Sequence, residues 1–183
     1  MLIKSANPKG IDYSIQQLQA DLYAFLIDRW TLDGLSPDYT CYDRCYRNQT
    51  KDGIIPEVFT GKGYKEVLFD DKVKVLSFFD IENSITYDTD NNGNRVNVSL
   101  LFMVNLKKLK GDNIRPDEEV RQDVQTFLQH EKYGFMLNGI EIGLENVFAN
   151  FQSLRIKYRD LNPLHCFRFN FTKVYRFTDH VCT

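Results

Sequence analysis

Residues 42–80, YDRCYRNQTKDGIIPEVFTGKGYKEVLFDDKVKVLSFFD, place the strongest constraint on the fold, because strand-like runs flank a stretch rich in glycine. The aromatic residues at the start favour a strand over residues 39–47. The glycines and the proline that follow predict a long loop over residues 48–63 before strand-like runs resume, with a tight turn at residues 70–71. A loop of this length is uncommon inside a compact domain and is usually either functional or disordered.

The predicted loop carries four apolar side chains that a solvated loop would be expected to avoid. Such a loop is typical of an arm that packs on another protein. Residues 1–11 are predicted to form a second, N-terminal arm, because Pro8 and Gly10 interrupt regular structure there. We therefore expect residues 53–63 to become ordered only on a neighbouring subunit. The predicted subunit-interface residues are Ile54, Ile55, Val58, Phe59, Leu2 and Ile3.

The rest of the chain predicts a single α+β domain over residues 1–183. Helix-spaced apolar residues predict a first helix from about residue 14 to residue 30. The elements follow the order helix, strands, helices, strand, with no repeated βαβ unit, which favours a mixed or mainly antiparallel sheet with helices packed on one face. After residue 80, the predicted elements are strands at 85–88 and 95–109, a helix from Pro116, a short helix at 143–151 and a strand from 167 to about 177.

The last strand is the clearest, because Phe167, Phe169 and Phe171 alternate with polar residues. This alternation predicts one apolar and one polar face. The predicted core consists of these three side chains with residues of the first helix and the long strand, namely Leu18, Leu22, Leu26, Leu101 and Met103.

The charge balance bears on the choice of partners. Lys and Arg number 23 and Asp and Glu number 25, for a net charge of −2, so the chain has no global attraction to nucleic acid or anionic membranes. No apolar run approaches the ~18–20 residues that a membrane-spanning helix requires, and the first residues lack the apolar region of a signal peptide. We therefore expect no membrane contact and a protein made in a cytoplasm.

Two residue patterns superficially suggest metal sites. Cys41 and Cys45, with His165 and Cys166, could supply zinc ligands, but residues four apart on a strand lie ~13 Å apart, too far for sulfur bonds of ~2.3 Å to one ion. Residues 88–93 match the front of a calcium loop, but the twelfth position is serine, and a hairpin turn explains the same residues. We predict no metal, no cofactor and no catalysis.

The order of elements is similar to that of the tail-terminator and head–tail (neck) ring proteins of tailed bacteriophages. The opening GIDYSIQQLQADLYAFLIDRW and residues 42–80 resemble structural proteins of crAss-like phages. This resemblance implies a non-enzymatic virion protein that forms a homo-oligomeric ring at the head–tail connector or tail, assembled in the host bacterial cytoplasm. It also implies portal, connector and tail proteins as neighbours, with DNA passing through the ring lumen without sequence recognition.

A second hypothesis is a small nucleic-acid- or peptide-binding module that uses its β-sheet face. Phe167 and Phe169, near basic residues, could then form a stacking platform for bases. Self-association distinguishes the two hypotheses, because a ring subunit associates with copies of itself and a binding module remains monomeric.

Overall fold

The computed structural model describes residues 1–68, 72–111, 116–129, 133–151 and 164–176. These residues form a single α+β domain, as predicted. The helices are α1 (Ile11–Leu32), α2 (Leu106–Lys110), α3 (Asp117–Leu128) and α4 (Leu144–Val147). The strands are β1 (Tyr39–Arg44), β2 (Tyr46–Thr50), β3 (Gly53–Phe59), β4 (Tyr64–Glu66), β5 (Val75–Asp88), β6 (Gly93–Asn105), β7 (Phe135–Ile142) and β8 (Leu164–Tyr175).

The main sheet has five strands in the order β1-β5-β6-β8-β7. Strand β1 runs parallel to β5, and every other neighbouring pair is antiparallel, which confirms the predicted mixed sheet. Strand β6 lies in the middle of the sheet, and its second half is buried throughout. An interior strand covered on both faces is expected to show this nearly continuous apolar sequence.

Helices α1 and α3 pack on one face of the sheet, which we call the helix face. Helix α1 buries Ile15, Leu22 and Trp30 because these residues recur at helical spacing. The indole Nε1 of Trp30 donates a 3.0 Å hydrogen bond to Asp123 of α3, which ties the two helices together. From the sheet, β8 contributes three buried side chains to the same core, as predicted: Phe167, Phe169 and Phe171.

The predicted loop over residues 48–63 is wrong. Strands β2, β3 and β4 form a separate three-stranded antiparallel sheet, and β1 and β2 replace the single predicted strand at 39–47. The glycines mark turns rather than a long loop, because Gly53 begins β3 with a φ of 117° and Gly61 lies between β3 and β4 with a φ of 89°. Two tight hairpins therefore account for the glycines that had predicted a long loop.

The small sheet covers part of the opposite face of the main sheet, which we call the small-sheet face. Val58 of β3 is fully buried there beside Phe78 of β5 and Met103 of β6. Residues of α4 and the segment after it complete this second core, since Val147, Phe148 and Phe151 belong to the same cluster. Where the small sheet packs on the main sheet, both faces of the main sheet are therefore covered.

The predicted N-terminal arm at residues 1–11 is shorter and more closely bound than expected. Helix α1 begins at Ile11, and Leu2 forms a parallel bridge with Cys41 at the edge of β1. The Nε2 atom of Gln19 donates to the carbonyls of Ile3 (2.9 Å) and Cys41 (3.0 Å), which fixes the arm against α1. The arm is therefore part of the sheet edge.

Other predicted boundaries changed in simple ways. The strand predicted at 85–88 is the end of a longer strand, β5, and the predicted helix at 143–151 shortens to α4. The turn predicted at residues 70–71, and the end of the last predicted strand at residue 177, lie outside the described residues.

Candidate assembly interface and polar pocket

The structure separates the six predicted interface residues into three groups. Val58 is 0% exposed and Ile55 is 7% exposed, so neither is available to a neighbouring subunit. Leu2, Ile3 and Ile54 are half-buried against the two cores of this chain. Four exposed apolar side chains in a loop were the reason for the prediction, and that premise is wrong because the segment folds as a hairpin whose inner face is core.

Phe59 is the member of the set that remains exposed, at 44%, and it belongs to an aromatic cluster on the outer surface of the small sheet. Its ring lies 5.5 Å from that of Tyr64, which in turn lies 5.4 Å from Tyr46 in an edge-to-face arrangement. The guanidinium of Arg44 stands 5.3 Å from the ring centroid of Tyr46. Exposed aromatic and arginine side chains of this kind are enriched in protein interfaces.

The longest run of exposed residues in the main sheet lies in the second half of β5. Strand β1 pairs with β5 only as far as Phe79, and β5 then continues to Asp88. Residues 82–87 are all exposed, including Ile85 at 54% and Tyr87 at 63%. Among the described residues no strand pairs with this side of residues 81–88. An unpaired strand edge presents N–H and C=O groups that can bind another strand.

The opposite edge of the sheet is β7, which pairs with β8 on one side only within the described residues. Ile142 at its end is 50% exposed and Met136 near its start is 44% exposed. Residues 81–88 and 135–142 contain neither lysine nor proline, the residues with which proteins commonly block exposed edges. Within the part of the chain that the structure describes, the sheet therefore ends in two open edges with exposed apolar side chains.

A polar pocket of about 240 Å³ lies on the small-sheet face, beside the area that the small sheet covers. Ser99 and Asn170 line the pocket. They belong to a row of paired residues across four strands, in which Asp80 opposes Ser99, Ser99 opposes Asn170, and Asn170 opposes Gly139. Ser99 Oγ and Asn170 Oδ1 are 2.8 Å apart. A Cβ at Gly139 would meet no atom within 4 Å, so the β7 end of the row is open.

Arg168 lies in the wall of this pocket and is 8% exposed. Its guanidinium binds the carboxylate of Glu141, and a second nitrogen lies 3.4 Å from the carbonyl of Val147. Its Nε atom is buried and has no hydrogen-bond partner in the structure described. Arg168 is thus held in place through its two terminal nitrogens.

Asp80 forms a buried ion pair with Arg47. The carboxylate is 1% exposed and accepts two hydrogen bonds from Arg47, at 2.9 and 2.8 Å, and a third from Asn150 at 2.9 Å. Burial by itself lowers the pKa of Arg47, but hydrogen bonding and attraction to Asp80 outweigh it and raise that pKa. This ion pair joins β2 of the small sheet to β5, and its two charged groups neutralise one another.

The candidate zinc residues are part of the packing. Cys41, Cys45 and Cys166 are buried free thiols, and burial raises the pKa of each, that of Cys166 to about 12. Burial lowers the pKa of His165. The described residues contain no group of three side chains placed to bind a metal ion.

The candidate calcium loop is the turn that joins β5 to β6. The carboxylate of Asp88 accepts a 3.0 Å hydrogen bond from Arg95 Nε and another of 3.0 Å from the backbone of Asn91. The bond from Arg95 is the main reason that the pKa of Asp88 is lowered to about 2. Asp88 therefore stabilises the hairpin itself.

The stacking platform of the second hypothesis is not exposed. Phe167 and Phe169 are each 0% exposed beneath α1 and α3, so they cannot stack on bases. The polar side of the same strand, with Arg168 and Asn170, lines the pocket instead. The alternation in the sequence predicted both faces of this strand and its apolar face as core, which the structure confirms.

Comparison with known proteins identifies no relationship: no family model, no curated protein and no solved structure matches this chain. In the described ranges, no helix is both long and apolar enough to cross a membrane.

Proposed function

We propose that this chain is a structural subunit that associates with copies of itself in a closed ring, and that the ring is a virion component at the head–tail connector or tail of a bacteriophage. The observation that carries the proposal is the pair of open strand edges at the two ends of the main sheet, each with exposed apolar side chains. Two different surfaces on one chain permit a head-to-tail contact, which closes into a ring when the rotation allows it.

The exposed aromatic cluster supports the same proposal. Tyr46, Phe59 and Tyr64 are exposed on the small sheet, which is separate from the five-stranded sheet that carries the two open edges. A subunit within a phage neck contacts neighbours around the ring and others along the axis. We assign the strand edges to copies in the ring and the aromatic cluster to an axial neighbour, such as a portal, connector or tail protein.

The buried polar groups agree with a structural role without catalysis. Asp80 is neutralised by Arg47, and the thiol of Cys45, 3.9 Å from Asp80, has a pKa raised well above its ordinary value by burial. A nucleophilic thiol requires a lowered pKa. The near-neutral charge of the chain suits a ring through which DNA passes without sequence recognition.

Electron microscopy of the purified protein tests the proposal. We expect ring-shaped particles of uniform diameter, and light scattering on the same sample should give a mass that is a whole multiple of the 21.5 kDa subunit. Particles no larger than one subunit at every concentration would contradict the proposal.

A peptide-binding module is the second candidate, and the open edge of β5 favours it. An extended peptide can add to an exposed strand edge through main-chain hydrogen bonds. The protein would then remain a monomer and gain a peptide strand beside residues 81–88. The same measurement of mass therefore separates the two candidates.

A further inference from the structure

We propose that the polar pocket on the small-sheet face binds one neutral sugar unit, a monosaccharide ring held through its hydroxyl groups. This inference goes beyond the proposed ring and does not depend on it, because the pocket lies within a single chain.

Two β-bulges shape the sides of the pocket. One regular row crosses the four strands, namely Ile81, Val98, Phe171 and Leu137. Next to this row β5 has three residues, 82–84, opposite Asn97 alone, and β7 has Asn138 as an extra residue. A bulge redirects side chains of its strand. Both edge strands therefore leave the regular pleat beside the pocket.

The residues of the bulges complete a chain of hydrogen bonds across the sheet. Glu82 accepts a 2.9 Å hydrogen bond from Asn97 Nδ2. Thr172 Oγ1 donates to Asn97 Oδ1 at 3.3 Å and accepts from Asn138 Nδ2 at 2.8 Å. These bonds hold the side chains at the two sides of the pocket in one arrangement, which lowers the entropy that binding costs.

Three asparagines that line the pocket each keep an amide atom without a partner in the part of the chain described. Asn170 accepts from Ser99 through Oδ1 and has a free Nδ2 donor. Asn138 and Asn150 each donate through Nδ2 to a neighbouring residue and have a free Oδ1 acceptor. A sugar hydroxyl both donates and accepts a hydrogen bond, so it fits a pocket that offers both kinds of group.

The charges around the pocket favour a neutral ligand over an anion or a metal ion. Arg168, the one cation among the described lining residues, is bound to Glu141, and Glu82 adds a negative charge. An anion would therefore meet a net negative charge. A metal ion lacks its ligands, since the described residues contain no suitable group of three.

The size and polarity of the pocket define the ligand further. Its volume of about 240 Å³ lies below the ~300–1,000 Å³ of pockets for drug-sized molecules, so it admits one ring-sized unit. The apolar lining residues, Val98 and Phe171, are each 1% exposed and have their side chains in the core under the helices. The ligand is therefore polar on all sides. No aromatic ring of the described lining is open for stacking, so we expect binding in the millimolar range.

Saturation-transfer NMR tests the inference, since it detects weak ligands on a single chain and on a large assembly alike. The probes are glucose, galactose, mannose and N-acetylglucosamine, each as the free sugar and as its methyl glycoside. We expect transfer of saturation from the protein to at least one of them. Transfer to a methyl glycoside would support the inference with the end unit of a glycan as ligand, and transfer to the free sugar alone would support it with a free monosaccharide. No transfer to any of these probes at tens of millimolar would overturn it.

An aspartate in place of Asn170 locates the sugar. Asn170→Asp removes the free donor but keeps the oxygen that accepts from Ser99. It should weaken binding about tenfold, the effect of one lost hydrogen bond. The matched control is Asn83→Asp, which introduces the same charge at an exposed asparagine of β5 outside the pocket lining. It should bind as the wild type does, and a loss equal to that of Asn170→Asp would overturn the inference.

Asn138→Ala provides a second variant at an exposed position, where the fold should be unaffected. It should weaken binding by a smaller factor than Asn170→Asp. Equal binding by the wild type and both pocket variants would place the sugar elsewhere and overturn the inference. A strictly monomeric protein that binds a sugar in the pocket would contradict the ring proposal alone, and a ring that binds none of the probes would contradict this inference alone.

Discussion

The two halves of β5 lie on one strand but have opposite environments. Residues 75–80 are all buried, with β1 along their edge, helices on one face and the small sheet on the other. Residues 82–87 are all exposed, although residues 85–87 still pair with β6. Backbone pairing is therefore not what distinguishes the halves; the distinction is whether a neighbour covers the edge and the faces.

This difference indicates how stability and association are divided along the molecule. We call residues 75–80 the lower half of β5 and residues 82–87 the upper half. Side chains in the lower half stabilise the monomer, because their apolar surface is already removed from water. Apolar side chains in the upper half add little to the monomer and remain available to a partner. Substitutions in the lower half should therefore change the free energy of unfolding, and those in the upper half should change association.

The largest expected effect is at Phe79, in the lower half. Phe79→Ala should lower the free energy of unfolding by ~3–5 kcal/mol, since the side chain is 0% exposed and its removal leaves a cavity. Tyr87→Ala, on the upper half of the same strand, should change it by less than about 0.5 kcal/mol. Urea denaturation of the monomer measures both; equal losses would remove the distinction between the halves.

The next effect concerns Asp80, where the covered half ends. Arg47→Met should cost about 3 kcal/mol, because it leaves a buried carboxylate without its partner. The double variant Arg47→Met with Asp80→Asn should recover part of the loss, whereas an unaltered stability of Arg47→Met would contradict the role of the pair.

A smaller effect is expected in the small sheet that covers the lower half. Val58→Ala should destabilise the monomer by about 1.5 kcal/mol, because it removes two buried methyl groups. Phe59→Ala, one residue further along β3, should leave the free energy of unfolding nearly unchanged because its ring is largely exposed. If Val58→Ala were equally harmless, residues 53–59 would behave as the loop that the sequence first indicated.

The mildest probe is thiol reactivity, which should differ between the native and unfolded states. In the Cys182→Ser variant, Cys41, Cys45 and Cys166 are buried and have raised pKa values, so a thiol reagent at pH 8 should react slowly with the native protein. In guanidinium chloride all three thiols should react at once. Rapid reaction in the native state would show that the covered half opens readily.

Periodicity in the sequence predicted much of the fold. The alternation of Phe167, Phe169 and Phe171 gave the face of β8, and helical spacing gave the buried side of α1, because both patterns depend only on local geometry. The small sheet was missed, because glycine in a tight turn and glycine in a long loop give the same local signal. The closely spaced hairpins at Thr50–Gly53 and Thr60–Gly63 could have been found from their turn residues.

The candidate interface was harder to predict than the fold. Exposure of Ile85 and Tyr87 depends on where β1 stops pairing with β5, which is a contact between distant parts of the chain. The same limit applies to Val58, whose burial requires the small sheet to fold back on β5. Apolar residues in a glycine-rich segment therefore predicted a surface where the structure has a core.

Sedimentation equilibrium of wild-type protein and of Ile85→Lys measures the central claim most directly, with Leu32→Lys as the control at the exposed end of α1. A lysine on an open strand edge blocks pairing with another strand. We predict that wild-type protein and the Leu32→Lys control associate, and that Ile85→Lys sediments as a monomer of unchanged stability. Association of Ile85→Lys equal to that of the wild type, or a wild-type protein that is monomeric at every concentration, would contradict the account.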